Sequence, residues 1–125
     1  MGIFNRLFGG GKPQAPAQFA WIEADELAAR LEGGDAPLLV DVRGPDEFSG
    51  ELGHIAGALN LPVDRIASDP ALTEPYRGLE IVFICRTQIR SANVANALGQ
   101  GGFANLKVLQ GGMVRWNEDG RPIER

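Results

Sequence analysis

One cysteine, one histidine and one tyrosine in 125 residues leave this sequence short of the side chains that usually carry chemistry. A single cysteine excludes an internal disulfide. A chain of this length can bury an adequate core without one, so a reducing, cytoplasmic setting is expected. Cys85 and His54 cannot by themselves supply a set of soft metal ligands, so neither a metal site nor a cofactor is expected. Excess positive charge is missing too: sixteen acidic against twelve basic residues give a net charge of -4, which argues against binding nucleic acid phosphates. No apolar stretch approaches the roughly 18 residues needed to span a bilayer. The start Met1-Gly2-Ile3-Phe4-Asn5-Arg6 has no basic n-region, and Arg6 stands where a myristoylation signal wants Ser or Thr. Glycine-rich phosphate-binding signatures and internal repeats are absent as well.

What remains is ordinary for a single globular domain, with 44% hydrophobic and 22% charged residues. Residues 9–18 mix glycine and proline, which suits a linker and offers nothing to a core. Ahead of it, residues 1–8 place Ile3, Phe4, Leu7 and Phe8 on one side of a short helix. Such a face can dock on a partner or a membrane surface, or can simply fray. The domain proper is expected over residues 19–125.

From Phe19 onward, short apolar runs alternate with helical patterns, the signature of an α/β fold with a largely parallel sheet. The spacing predicts strands at Phe19–Ile22, on an edge, and at Leu38–Val42, Leu79–Ile84 and Leu106–Leu109, with a brief one at Ala58–Leu61. The run Leu79-Glu80-Ile81-Val82-Phe83-Ile84 reads as the strand at the middle of the sheet. Helices are expected over Glu26–Leu31, from a cap at Ser91 to Gly99, and over Met113–Glu118. The stretch to Tyr76 carries turn chemistry at Asp69-Pro70 and Glu74-Pro75.

Cys85 then falls at the carboxyl end of a central strand, where open α/β sheets bind their ligands. A short loop leads from it into a helix, aiming free backbone N–H groups and a positive dipole end at an anion. Arg86 and Arg90 add fixed positive charge that can grip an oxyanion. A free thiol is only about 3% ionised at neutral pH, and these features raise the thiolate share with no need of a general base. A lone cysteine without such surroundings reads as a small buried hydrophobe.

Other residues of the chain extend the pattern: Leu39-Val40-Asp41-Val42-Arg43, then Glu47-Phe48, then Gly53-His54-Ile55-Ala56-Gly57-Ala58-Leu59-Asn60-Leu61-Pro62, then Cys85 to Ser91, and Gly111-Gly112 ahead of Trp116. In this order they resemble the rhodanese-like sulfurtransferases, over residues 19–123. The resemblance implies one domain with a central, mostly parallel sheet of about five strands and helices on both faces. It implies that Cys85 takes the outer sulfur of a donor such as thiosulfate or a persulfide, holds it as a persulfide, and yields it to a thiol or cyanide. The loop of Arg86, Thr87, Gln88, Ile89 and Arg90 would bind the donor, with Arg43 reaching the same pocket. Asp41, His54 and Ser91 would support the fold, His54 through a structural hydrogen bond, and Trp116 reads most simply as core. The acceptor can be a small thiol, a thioredoxin-like protein or a sulfur-carrier protein. Phosphatases and arsenate reductases of the same fold place five residues between cysteine and arginine; here there are four, so their chemistry ranks second. A catalytically weak binding or sulfur-carrier module is a further alternative, because Gln88 stands where active members usually have glycine. If that position keeps a left-handed backbone, Gln88 is strained by roughly 1 to 2 kcal/mol.

Overall fold

A computed structural model of the protein describes residues 18–125. The apolar segment 1–8 and all but the last residue of the linker lie outside the described residues. Five strands, β1 (Ala20–Ile22), β2 (Leu38–Asp41), β3 (Leu59–Asn60), β4 (Ile81–Ile84) and β5 (Leu106–Leu109), form one sheet in the order β1-β5-β4-β2-β3. Every pairing is parallel. Between them run α1 (Ala24–Glu32), α2 (Pro45–Phe48), α3 (Val63–Ser68), α4 (Ile89–Gln100) and α5 (Gly112–Glu118). The expected α/β class, the parallel sheet and the helices on both faces are all present.

Alternation along the strands divides the core. Val40, Val42, Ile81, Phe83, Leu106 and Val108 face α3 and α4, where Ile66, Val94 and Ala95 meet them. Leu39, Val82, Ile84 and Leu109 face the other way, onto Ala24 and Leu27 of α1 and Met113 and Trp116 of α5. β4 lies at the centre and is buried along its whole length, as its unbroken apolar run requires. Trp116 belongs to the second half-core, its Nε1 donating to the Pro122 carbonyl at 2.9 Å.

Several boundaries differ from those the spacing predicts. Leu79 and Glu80 precede β4 rather than belonging to it. α2, α3 and two turns of 3-10 helix, Pro70–Leu72 and Glu74–Tyr76, fill stretches that read only as loop. The start of α4 is a clearer correction. The helix begins at Ile89 with Gln88 in the capping position, so Ser91 is not its cap. Ser91 already lies in the first helical turn and faces inward with Val94 and Ala95; it is fully buried, and its hydroxyl has no hydrogen-bond partner.

From the carboxyl end of β2 the chain moves outward to β3, and from that of β4 it moves the opposite way to β5. The crevice between β2 and β4 is therefore the switch point of the sheet. The segments after Asp41 and after Ile84 flank it.

Candidate active site

Cys85 follows the last residue of β4 and lies on the face that packs α4. Its residue surface is only 1% exposed, so the sulfur forms the floor of the site rather than a projection from it. The next residues turn sharply, and α5 fixes the direction of that turn. The Cys85 carbonyl accepts from the Met113 amide and the Arg86 carbonyl from the Val114 amide, both at 3.0 Å. The carbonyls of Cys85, Arg86 and Thr87 all crowd the space where a side chain on Gly112 would stand. Gly112 has φ +53°, so glycine is needed there for both backbone and room.

Peptide planarity then decides where the loop's donors go. Each carbonyl turned toward α5 turns the following N–H the opposite way, so those of Arg86, Thr87 and Gln88 face away from α5. α4 adds the free amides of its first turn. Among the described residues, no backbone or side-chain acceptor takes a hydrogen bond from the amides of residues 86–91. Six successive donors are thus left for an anion.

Gln88 departs from expectation. Its φ of -153° with ψ of -7° lies outside the left-handed region, so the expected strain is absent. Its Oε1 instead accepts from the Gly111 amide at 3.2 Å, tying the loop to the start of α5. Arg86 and Thr87 are exposed, and Ile89 is the most exposed large hydrophobic side chain among the described residues, at 68%. Among the described residues Arg86 forms no ion pair.

Of the three arginines expected at the substrate pocket, Arg86, Arg90 and Arg43, the last two are engaged by carboxylates. Arg90 binds Glu47 through two bonds, 2.8 Å and 3.0 Å, across the switch point. That bond holds the Glu47 carboxyl down to about 2 from 4.5, helped by the Gly44 amide. The guanidinium of Arg90 is pushed up in turn by Glu47, with smaller contributions from the charges at Cys85 and Asp41. Glu47 is positioned by α2, which Gly44 and Pro45 start immediately after β2.

Arg43 is 1% exposed, and its side-chain hydrogen bonds go to β2, α2 and the segment at Gly53 rather than to the Cys85 loop. Its Nε and Nη2 meet the two Asp41 carboxylate oxygens at 2.9 Å and 2.7 Å, and it also donates to the carbonyls of Glu47 and Gly53. The expectation that it meets the donor gives way to a bracing role, because a buried guanidinium must spend its donors on acceptors that the fold provides. Asn60 completes the brace, donating to the carbonyls of Asp41 and Arg43. His54 stacks on Phe48 with ring centres 3.7 Å apart, and its Nδ1 donates to the Phe48 carbonyl at 2.8 Å. It sits on the segment that Arg43 holds, apart from the sulfur's loop. Glu47 is the residue whose part in the site the sequence does not reveal, since it lies 43 positions from its partner.

A depression of about 420 Å³ opens beside the loop, bordered by Arg86, Arg43, Asp46, Glu47, Glu51 and Leu52. A separate apolar groove of about 340 Å³ lies between α3 and α4, lined by Val63, Ile66, Val94 and Phe103 among others. Cys85 is not among its walls.

A parallel five-stranded α/β sheet with a cysteine loop at its switch point defines the class to which this domain belongs. The sequence matches the Rhodanese-like domain over residues 23–119, and the chain belongs to that family. It is 35% identical over 99 residues to slr1261 of Synechocystis, covering 79% of this chain and 53% of that protein, and so spans about half that relative's length. It is 33% identical over 102 residues to a sulfurtransferase of Allochromatium vinosum, covering 82% of this chain and 92% of the other. The structure of a rhodanese-related protein from Thermoplasma volcanium superposes with a TM-score of 0.70 at 30% identity, over 83% of this chain and 96% of that one.

Proposed function

We propose that the protein is a sulfurtransferase in which Cys85 carries the sulfur. The thiolate attacks the outer sulfur of a donor, thiosulfate or a persulfide, and the donor's remainder leaves with the electron pair of the broken S–S bond. Sulfite leaves from thiosulfate, a thiolate from a persulfide. A thiol or cyanide then attacks the outer sulfur of the Cys85 persulfide and regenerates the thiolate. The observation that carries this reading is the run of amides 86–91, which follow Cys85 in the chain, donate to no acceptor among the described residues and suit the negative charge of both thiolate and persulfide. Exposed Ile89 and Thr87 at the rim offer contacts to a protein acceptor, such as a thioredoxin-like or sulfur-carrier protein. A cytoplasmic location goes with the proposal, since a lone thiol that cycles through persulfide suits a reducing compartment.

The 1% exposure of Cys85 favours a second reading, a binding module that keeps the fold without turnover. Incubation with thiosulfate or an alkyl persulfide, followed by intact mass measurement, separates the two. The enzyme gains one sulfur, and Cys85→Ser gains none. The absence of any gain with every sulfane donor would decide for the module. Phosphatase or arsenate chemistry stays behind both, because only four residues separate Cys85 from Arg90.

A further inference from the structure

Charge at the mouth of the Cys85 loop is largely spent inside the protein. Arg90 stands at the start of α4, where it would meet the oxyanion of a donor, yet both of its bonds there go to the Glu47 carboxylate. The pair is only half-buried, with side-chain exposures of 39% and 38%, so it faces the solvent from which a donor arrives. Arg43 is matched by Asp41. Asp46 and Glu51 add negative charge to the border of the same depression, and the Arg125 guanidinium donates to the carbonyls of Gly50 and Glu51. Arg86 is the cation at the loop that no carboxylate engages among the described residues.

Thiosulfate brings two negative charges to a thiolate, and its sulfonate must either displace Glu47 from Arg90 or approach with Glu47 in place. An alkyl persulfide with an uncharged organic part asks for neither. Its protonated form reacts as the Cys85 thiolate plus R–S–SH, giving the Cys85 persulfide (Sγ–SH) plus R–S⁻; the Sγ–S bond forms, the donor's S–S bond breaks, the proton stays on the transferred sulfur, and the single negative charge leaves on the thiolate.

We propose that Glu47 sets the donor class of this site, by pairing with Arg90 so that the loop takes low-charge alkyl persulfides in preference to dianionic thiosulfate. The proposal rests on the sulfurtransferase reading of Cys85 and gives Glu47 a specificity role, through Arg90, without contact to the reacting sulfur. The low value of about 2 for the Glu47 carboxyl keeps it ionised through the whole neutral range, so its effect on Arg90 is permanent at working pH.

The test is single-turnover loading of Cys85, followed by mass, from 2-hydroxyethyl persulfide and from thiosulfate. In the unaltered protein kcat/KM for the persulfide should exceed that for thiosulfate by at least about a hundredfold. Glu47→Gln, which frees the Arg90 charge, should shift the thiosulfate-to-persulfide ratio upward by about tenfold, and Glu47→Asp should shift it less. Equal or faster loading from thiosulfate by the unaltered protein overturns the proposal and needs no variant. An unchanged ratio in a folded Glu47→Gln protein overturns it as well. Failure of both donors to load Cys85 would instead overturn the underlying sulfurtransferase reading.

Discussion

At the scale of single residues, Gln88 and Gly112 hold the loop from opposite sides, and each makes a definite demand. Gln88 donates no strain to relieve, so Gln88→Gly should destabilise the fold by about 1 kcal/mol, through the lost bond to the Gly111 amide and the added freedom of the unfolded chain. Chemical denaturation measures this, and a stabilised variant would contradict the backbone described. Gly112→Ala meets three carbonyl oxygens at a positive φ, with a cost of roughly 2 kcal/mol or more and, in whatever fraction folds, slower loading of Cys85. The Asp41–Arg43 pair is the third such point. Removing one partner, as in Asp41→Asn, strands a buried guanidinium and should cost about 3 to 5 kcal/mol by the same measurement. Of these residues the sequence reveals identity better than posture. Cys85 and Arg90 are legible from their place after a strand and before a helix. The bond of Arg43 to the Gly53 carbonyl, the tie of Gln88 to Gly111 and the hold of Glu47 on Arg90 join residues 10 to 43 positions apart, which local patterning cannot register.

Between elements, carboxylates act as ties. Glu80, just before β4, takes Arg30 of α1 through two bonds of 2.7 Å and Lys107 of β5 through one of 2.7 Å. Arg30 first and Lys107 second hold its carboxyl down to about 2. Glu47 is lowered to about 2 in the same sense by Arg90. Both folded values lie below the ordinary 4.5, so the stabilisation is complete above that pH and is lost as pH falls toward 2. After allowance for solvent screening each tie contributes on the order of 1 kcal/mol. Denaturation midpoints should therefore drop between pH 5 and pH 2, and Glu80→Gln should flatten part of that slope; a slope unchanged by Glu80→Gln would show that the tie is idle. Elements with a full pattern of their own are legible from sequence: β5 over Leu106–Leu109, the centre of β4, the body of α1. α2, α3 and the 3-10 turns are too short to display a helical period, and they owe their shape to packing over the sheet.

Over the molecule as a whole, stability should be graded from the middle of the sheet outward. β4 is sealed on both faces and paired on both edges, whereas β3 has two residues and β1 has three, each with one open edge. Hydrogen exchange should therefore find the amides of Val82 to Ile84 slowest and those of β3 among the first strand amides to exchange; the reverse order would contradict the layering of the core. The same layering was legible in outline from alternation alone, since a continuous apolar run at residues 81–84 has room only at the centre of a parallel sheet. The position of Cys85 at the top of that central strand has a practical result. Because it is the chain's one sulfhydryl and lies almost wholly enclosed, a bulky maleimide dye would label it only during excursions that unlatch the surrounding segment. The labelling rate then becomes a clock for those excursions, and a small-molecule guest that holds the segment shut would slow it.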